Sequence, residues 1–145
     1  MKGLREMECH FLNYKGVSED SRAKEGVGCI IKTYKGYISK WIGETERILW
    51  LEMKMKERSS IIVTYAPNED EITCVKDNYW ETLNFTIQNT KDKLIIIGDL
   101  NARAGKKGEE SGFVVGNQGE NVRNKNERKL INCIINESII TNTRT

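Results

Sequence analysis

The sequence predicts a mixed α/β protein assembled in layers, and three observations carry the prediction. Residues 48–55 alternate in character, with Leu49, Leu51, Met53 and Met55 on one side and Trp50, Glu52 and Lys54 on the other, as in a strand with one buried face. From Ile72 the period lengthens. Val75, Tyr79, Leu83 and Ile87 recur at helical spacing. The run Leu94, Ile95, Ile96 and Ile97 is then unbroken, which fits a strand buried on both faces. Strands followed by helix, strand, loop, helix and strand describe an α/β layered chain.

Each element follows from local signals. Residues 27–34 read as a strand with Gly26 and Gly28 at its start, and 37–42 as a shorter one after a turn at Gly36. A turn at 57–60 leads into a strand at 61–65. These strands and 48–55 are short and closely connected, so antiparallel pairing among them is the economical arrangement. Glu69, Asp70 and Glu71 crowd the start of the first helix, where acids suit the positive end of its dipole, and Lys91 and Lys93 follow its end. Residues 104–126 hold five glycines, Gly105, Gly108, Gly112, Gly116 and Gly119, among charged and amide residues, and read as a long loop. A second helix is expected over 126–136, with Leu130, Cys133, Ile134 and Ile135 inward, and one more buried strand over 138–141.

Composition narrows the class. The 145 residues suit a single domain, 1–145. Apolar residues make up 38% and charged residues 30%, an ordinary soluble balance. The formal charge of +2 neither marks nor excludes a nucleic-acid partner. The four cysteines form no C-x-x-C pair, which argues against a zinc site and suits reduced thiols in a reducing compartment. No apolar run approaches a membrane span, and the first ten residues lack the apolar core of a signal peptide.

Two strand ends carry polar groups that suit chemistry. In 98–101 an aliphatic run ends in Gly98, Asp99, Leu100 and Asn101. In extended chain Asp99 and Asn101 point the same way, with Leu100 turned back. A carboxylate beside a carboxamide offers hard oxygens for Mg²⁺ or Mn²⁺. The carboxylate also orients or deprotonates water, and the amide donates to a phosphate oxygen. Gly98 allows a close approach or an unusual φ. In 61–68 a second apolar strand ends in Tyr65, Pro67 and Asn68, and a phenol there can donate to a phosphate. The competing reading of both stretches is an ordinary turn, rich in Gly, Asp, Asn and Pro for conformational reasons alone.

The pair "TYAPN" and "GDLNA", separated by one amphipathic helix, resembles the endonuclease/exonuclease/phosphatase superfamily. "EGVGCIIK" at 25–32 is similar to that family's G-V-G strand. "RNKNERKLINCIINESIITNT" at 123–143 resembles the loop, helix and strand of its retrotransposon-type endonucleases, a branch that includes the craniofacial development protein 2-like group. The resemblance implies a four-layer sandwich, two packed mixed β-sheets flanked by helices. It implies in-line attack by water on a phosphodiester, with DNA as partner and Mg²⁺ or Mn²⁺ as cofactor. Asp99 would activate the water and touch the metal. Asn101 would bind phosphate or metal, Tyr65 would contact the phosphate, and Asn68 would support the site. Arg123, Asn124 and Asn126 lie where the family places substrate contacts.

The family also uses a metal-binding Glu before its G-V-G strand and a closing S-D-H, and neither has a counterpart here. The sole histidine, His10, lies early and reads as a strand or surface residue. The expectation is therefore a domain incomplete at both termini, with weak metal binding and weak or no hydrolysis. An intracellular, nuclear setting follows from the resemblance alone. Two alternatives stand beside it: a non-catalytic remnant or binding module derived from a mobile element, and a generic α/β domain whose motifs are turns.

Overall fold

The computed structural model describes residues 2–7, 10–16, 25–32, 37–54, 56–90, 93–102 and 124–134. The chain forms two compact units. One comprises Met1–Tyr65 and Asn89–Gly98, the other Ala66–Gln88 and Asp99–Thr145. Among the described residues the class is α/β, with two sheets and two helices. No helix there is long and apolar enough to cross a membrane.

The first unit is built from the sheets. Strands β1 (Lys2–Met7), β2 (His10–Gly16) and β3 (Gly26–Lys32) form an antiparallel sheet in that order. The second sheet runs β4 (Ile38–Thr45), β5 (Ile48–Lys54), β6 (Arg58–Tyr65), β7 (Lys93–Asp99). Its first three strands pair antiparallel, and register shifts interrupt β4 against β5 at both ends. The sheets meet through Val27 of β3, Leu49 and Leu51 of β5 and Val63 of β6, with Cys29, Ile31, Trp41, Ile61 and Ile97 packed around them. Leu49 and Leu51 are wholly inaccessible, and each such burial is worth about 1.5–3 kcal/mol.

The period-two reading of β5 is upheld on its apolar side: Leu49, Leu51 and Met53 are buried, whereas Lys54 is exposed. Four expectations need correction. β3 does not pair with β4. The chain changes sheets between them, and β2 is the neighbour of β3. The two strands before β3 lack the clear apolar alternation that would mark them in sequence, and His10 opens one of them. β6 starts at Arg58 rather than Ile61, because Ser59 and Ser60 are buried and register against Met53 and Glu52. Among the described residues β7 comes last in its sheet's order, and its aliphatic run is not buried on both faces. Ile96 is buried, but Ile95 is 41% exposed.

The second unit contains α1 (Thr73–Gln88) and α2 (Lys125–Ile134), which pack against each other. Lys129 of α2 donates to the Asp77 carboxylate of α1. Within α1 the buried residues are Tyr79, Trp80, Leu83, Thr86 and Ile87. Ile72 of the expected stripe precedes the helix and is 62% exposed. In α2, Leu130 is buried and Cys133 half-buried. Most of the glycine-rich loop, Ile135 and the strand expected at 138–141 lie outside the described residues.

One glycine in the first unit is conformationally required. Gly98 has φ +135°, and a Cβ placed there would lie 1.9 Å from the Thr64 carbonyl oxygen. A side chain would thus collide with the backbone of β6. We predict that Gly98→Ala lowers unfolding stability by roughly 3 kcal/mol or more, read from urea denaturation. A loss below about 1 kcal/mol would contradict this close approach.

Candidate functional site

Strand β7 ends at Asp99, in the second unit, and the chain turns at once. The Asp99 carboxylate accepts the Asn101 N–H at 3.0 Å, an Asx turn. Asn101 sits in the left-handed region at φ 43°, a conformation that asparagine tolerates better than other residues with side chains. The extended geometry expected for Asp-x-Asn is therefore replaced by a turn. The carboxylate remains exposed to solvent.

The turn is tied to the segment that follows β6. Ala66 N–H donates to the Asp99 carbonyl at 2.8 Å. In return, Asn101 Nδ2 donates to the Ala66 carbonyl at 2.7 Å. Ala66 and Pro67 are fully buried, so these backbone groups need protein partners. Proline has no N–H and ends the ladder. Its carbonyl is served by Asn126 Nδ2 at 3.2 Å.

Asn124 and Asn126 complete the arrangement from the start of α2. Both donate Nδ2 to the Asn101 carbonyl, at 2.9 Å and 3.2 Å, which fills both lone pairs of that oxygen. The Asn124 Oδ1 accepts Glu127 N–H at 3.1 Å. That makes Asn124 the N-cap of α2 and places the helix start just before the expected Asn126. Asn126 is only 2% exposed. Both asparagines named as substrate contacts thus hold backbone in this structure. Asn68 is exposed, and its carbonyl accepts Glu71 N–H at 3.2 Å in the turn before α1. Arg123 lies outside the described residues.

Tyr65 belongs to the first unit. Its N–H donates to the Arg47 carbonyl at 3.0 Å. The Arg47 guanidinium lies 5.5 Å from the phenol ring centroid. Arg47, in the turn between β4 and β5, is itself buried and bonded to Glu25 at 2.5 Å. Tyr65 is half-buried and packs against the core cluster.

Sequence reasoning brought Asp99, Asn101, Asn124 and Asn126 to attention, and the structure gathers these four around one turn. It missed the capping function of Asn124, although Asn followed three places later by Glu is a helix-start signal. It also missed Arg47, which no motif marks. Among the described residues, no three His, Cys, Asp or Glu side chains cluster as metal ligands. A groove of about 270 Å³ between α1 and α2, lined by Asp77, Trp80, Lys129 and Cys133, involves none of the expected site residues. Burial pushes the Cys133 thiol up from its ordinary pKa, against a smaller opposing pull from Lys129.

Comparison with protein-family models, with curated proteins and with solved structures returned no match.

The bonding pattern ranks the amides. Asn126→Ala removes a buried donor from two carbonyls and is expected to cost about 2–4 kcal/mol. Asn124→Ala, a cap substitution, is expected to cost about 1 kcal/mol. Chemical denaturation of both variants checks the order, and a reversed order would contradict the assignment of Asn126 to the buried position.

Proposed function

We propose that the chain carries the acid–amide centre of a divalent-metal-dependent phosphodiesterase of DNA endonuclease type, weak or inactive in hydrolysis. The observation that carries the reading is the fixed turn at the end of β7. It presents an exposed Asp99 carboxylate on a backbone that Ala66, Asn101, Asn124 and Asn126 hold in place. A carboxylate held before substrate arrives avoids reorganisation at the moment of reaction.

In this reading Asp99 orients the attacking water and takes its proton. Tyr65 keeps the phosphate contact that the resemblance assigns it, and Asn68 supports the turn before α1. Asn124 and Asn126 act on the turn rather than on DNA. The two packed sheets would form the centre of a four-layer sandwich, and the setting would be nuclear, as the same resemblance implies.

The donor set fits Mg²⁺ or Mn²⁺ in part. Asp99 supplies a hard oxygen, and the Asn101 carboxamide, anchored through its nitrogen, retains its oxygen as a second. A hard octahedral ion needs further ligands, so water would fill much of its shell and affinity would be low. When bound, such a cation supplies charge neutralisation at phosphate oxygens. A second reading, a non-catalytic binding module, draws on the commitment of three asparagine amides to backbone carbonyls.

Mn²⁺ titration followed by NMR tests the reading. We expect Mn²⁺ to broaden the backbone amide resonances of residues 99–102, and Asp99→Ala to abolish the effect. Nicking of supercoiled plasmid in Mg²⁺ is expected to stay near background, with any excess lost in Asp99→Ala. Absence of Mn²⁺ broadening at these residues would overturn the metal-dependent reading. Vigorous nicking that survives Asp99→Ala would overturn the role of Asp99.

A further inference from the structure

A buried guanidinium is costly unless it is both paired and hydrogen-bonded. Arg47 is 6% exposed, yet it occupies a hairpin turn, where an arginine ordinarily reaches into water. Its groups are committed in one direction. Nη2 bonds Glu25 Oε1 at 2.5 Å, just before β3. Nη1 donates to the Tyr65 carbonyl at 3.5 Å. The Arg47 carbonyl accepts both the Tyr65 N–H at 3.0 Å and the Thr64 hydroxyl at 3.1 Å. The guanidinium also lies over the phenol ring at 5.5 Å. One residue thus grips the backbone of Tyr65 on both its N–H and its carbonyl side, and its ring on one face. Tyr65 also packs against the core cluster.

We propose that Arg47, fixed by Glu25, is a positioning residue that sets the orientation of the Tyr65 phenol and through it the affinity for a nucleic-acid phosphate. This rests on the nuclease reading of Tyr65. Arg47 is too buried to meet a phosphate itself, so its effect passes through the ring. Lysine retains the cation but not the planar fork that spans Glu25 and the Tyr65 carbonyl. Methionine removes both.

The test uses the full chain with ¹³C-labelled tyrosine, and a short DNA duplex in low salt as the probe. In Arg47→Met the Tyr65 ring resonances should shift and broaden, and duplex binding should weaken about tenfold. Arg47→Lys should recover part of both effects. Tyr65→Phe should weaken binding comparably, and the double variant Arg47→Met, Tyr65→Phe should bind no worse than Tyr65→Phe alone. Glu25→Gln, which keeps an acceptor but removes the charge that fixes the guanidinium, should move the same ring resonances less, and it decides the matter if Arg47→Met does not fold. Unchanged Tyr65 ring resonances in Arg47→Met and Glu25→Gln, or losses that multiply in the double variant, would overturn the positioning role. Unchanged binding in Tyr65→Phe would instead overturn the phosphate contact on which the proposal rests, while the ring resonances would still report the Arg47 grip.

Discussion

Ala66 spends both of its backbone groups on one short segment, and the second unit is organised by that exchange. Its N–H goes to the Asp99 carbonyl and its carbonyl takes the Asn101 amide. Ala66 and Pro67 are inaccessible to solvent, so water cannot substitute for these partners. The geometry of the turn follows. For the Asn101 carboxamide to reach Ala66 while its own N–H meets Asp99, the chain enters the left-handed region. The displaced Asn101 carbonyl then needs donors of its own, which the start of α2 provides through Asn124 and Asn126. The start of α2 is thus coupled to a backbone requirement at Ala66.

That coupling changes how polar residues near a strand end should be weighed. Asparagine at such a place suggests a ligand contact, because a free carboxamide is a versatile donor and acceptor. Here the same residue type solves a burial problem first. Each amide bond contributes only about 1 kcal/mol net, but an orphaned buried carbonyl costs about 1–3 kcal/mol. The penalty for leaving carbonyls unserved is therefore the stronger constraint. Anchoring is compatible with chemistry at Asp99, since a carboxylate on a fixed turn loses less entropy on engaging a ligand than one on a mobile loop.

Legibility in the sequence followed the strength of the side-chain signal. The β5 face was readable because Leu49, Leu51 and Met53 alternate with polar residues. The existence of α1 and α2 was readable from spacing, although Trp80 rather than Ile72 joined the buried side of α1. β1 and β2 were obscure because backbone pairing, not an apolar alternation, defines them. The early start of β6 was hidden by Ser59 and Ser60, small polar residues that look like turn residues yet are buried beside β5. For β7 the aliphatic run was genuine, but its two faces differ: Ile96 is buried and Ile95 is open. At the site, the residue types were visible and their partners were not. Nothing in a linear sequence states that Asn126 will meet Pro67, or that Arg47 will lie over Tyr65.

Counting the committed atoms of each residue separates support from chemistry. Asn126 gives its amide hydrogens to two carbonyls and is buried. Asn124 uses its nitrogen on Asn101 and its oxygen on the helix cap. Asn101 commits its nitrogen and its backbone, leaving the carboxamide oxygen. A carboxylate has about four acceptor positions, and the described bond to Asp99 takes only one, on an exposed side chain. Availability therefore rises from the helix cap toward the strand end. The residue with the largest unspent capacity is also the one that carries formal negative charge. If this surface meets a divalent cation, the contact begins at Asp99, and the surrounding amides determine where that carboxylate stands rather than what it binds.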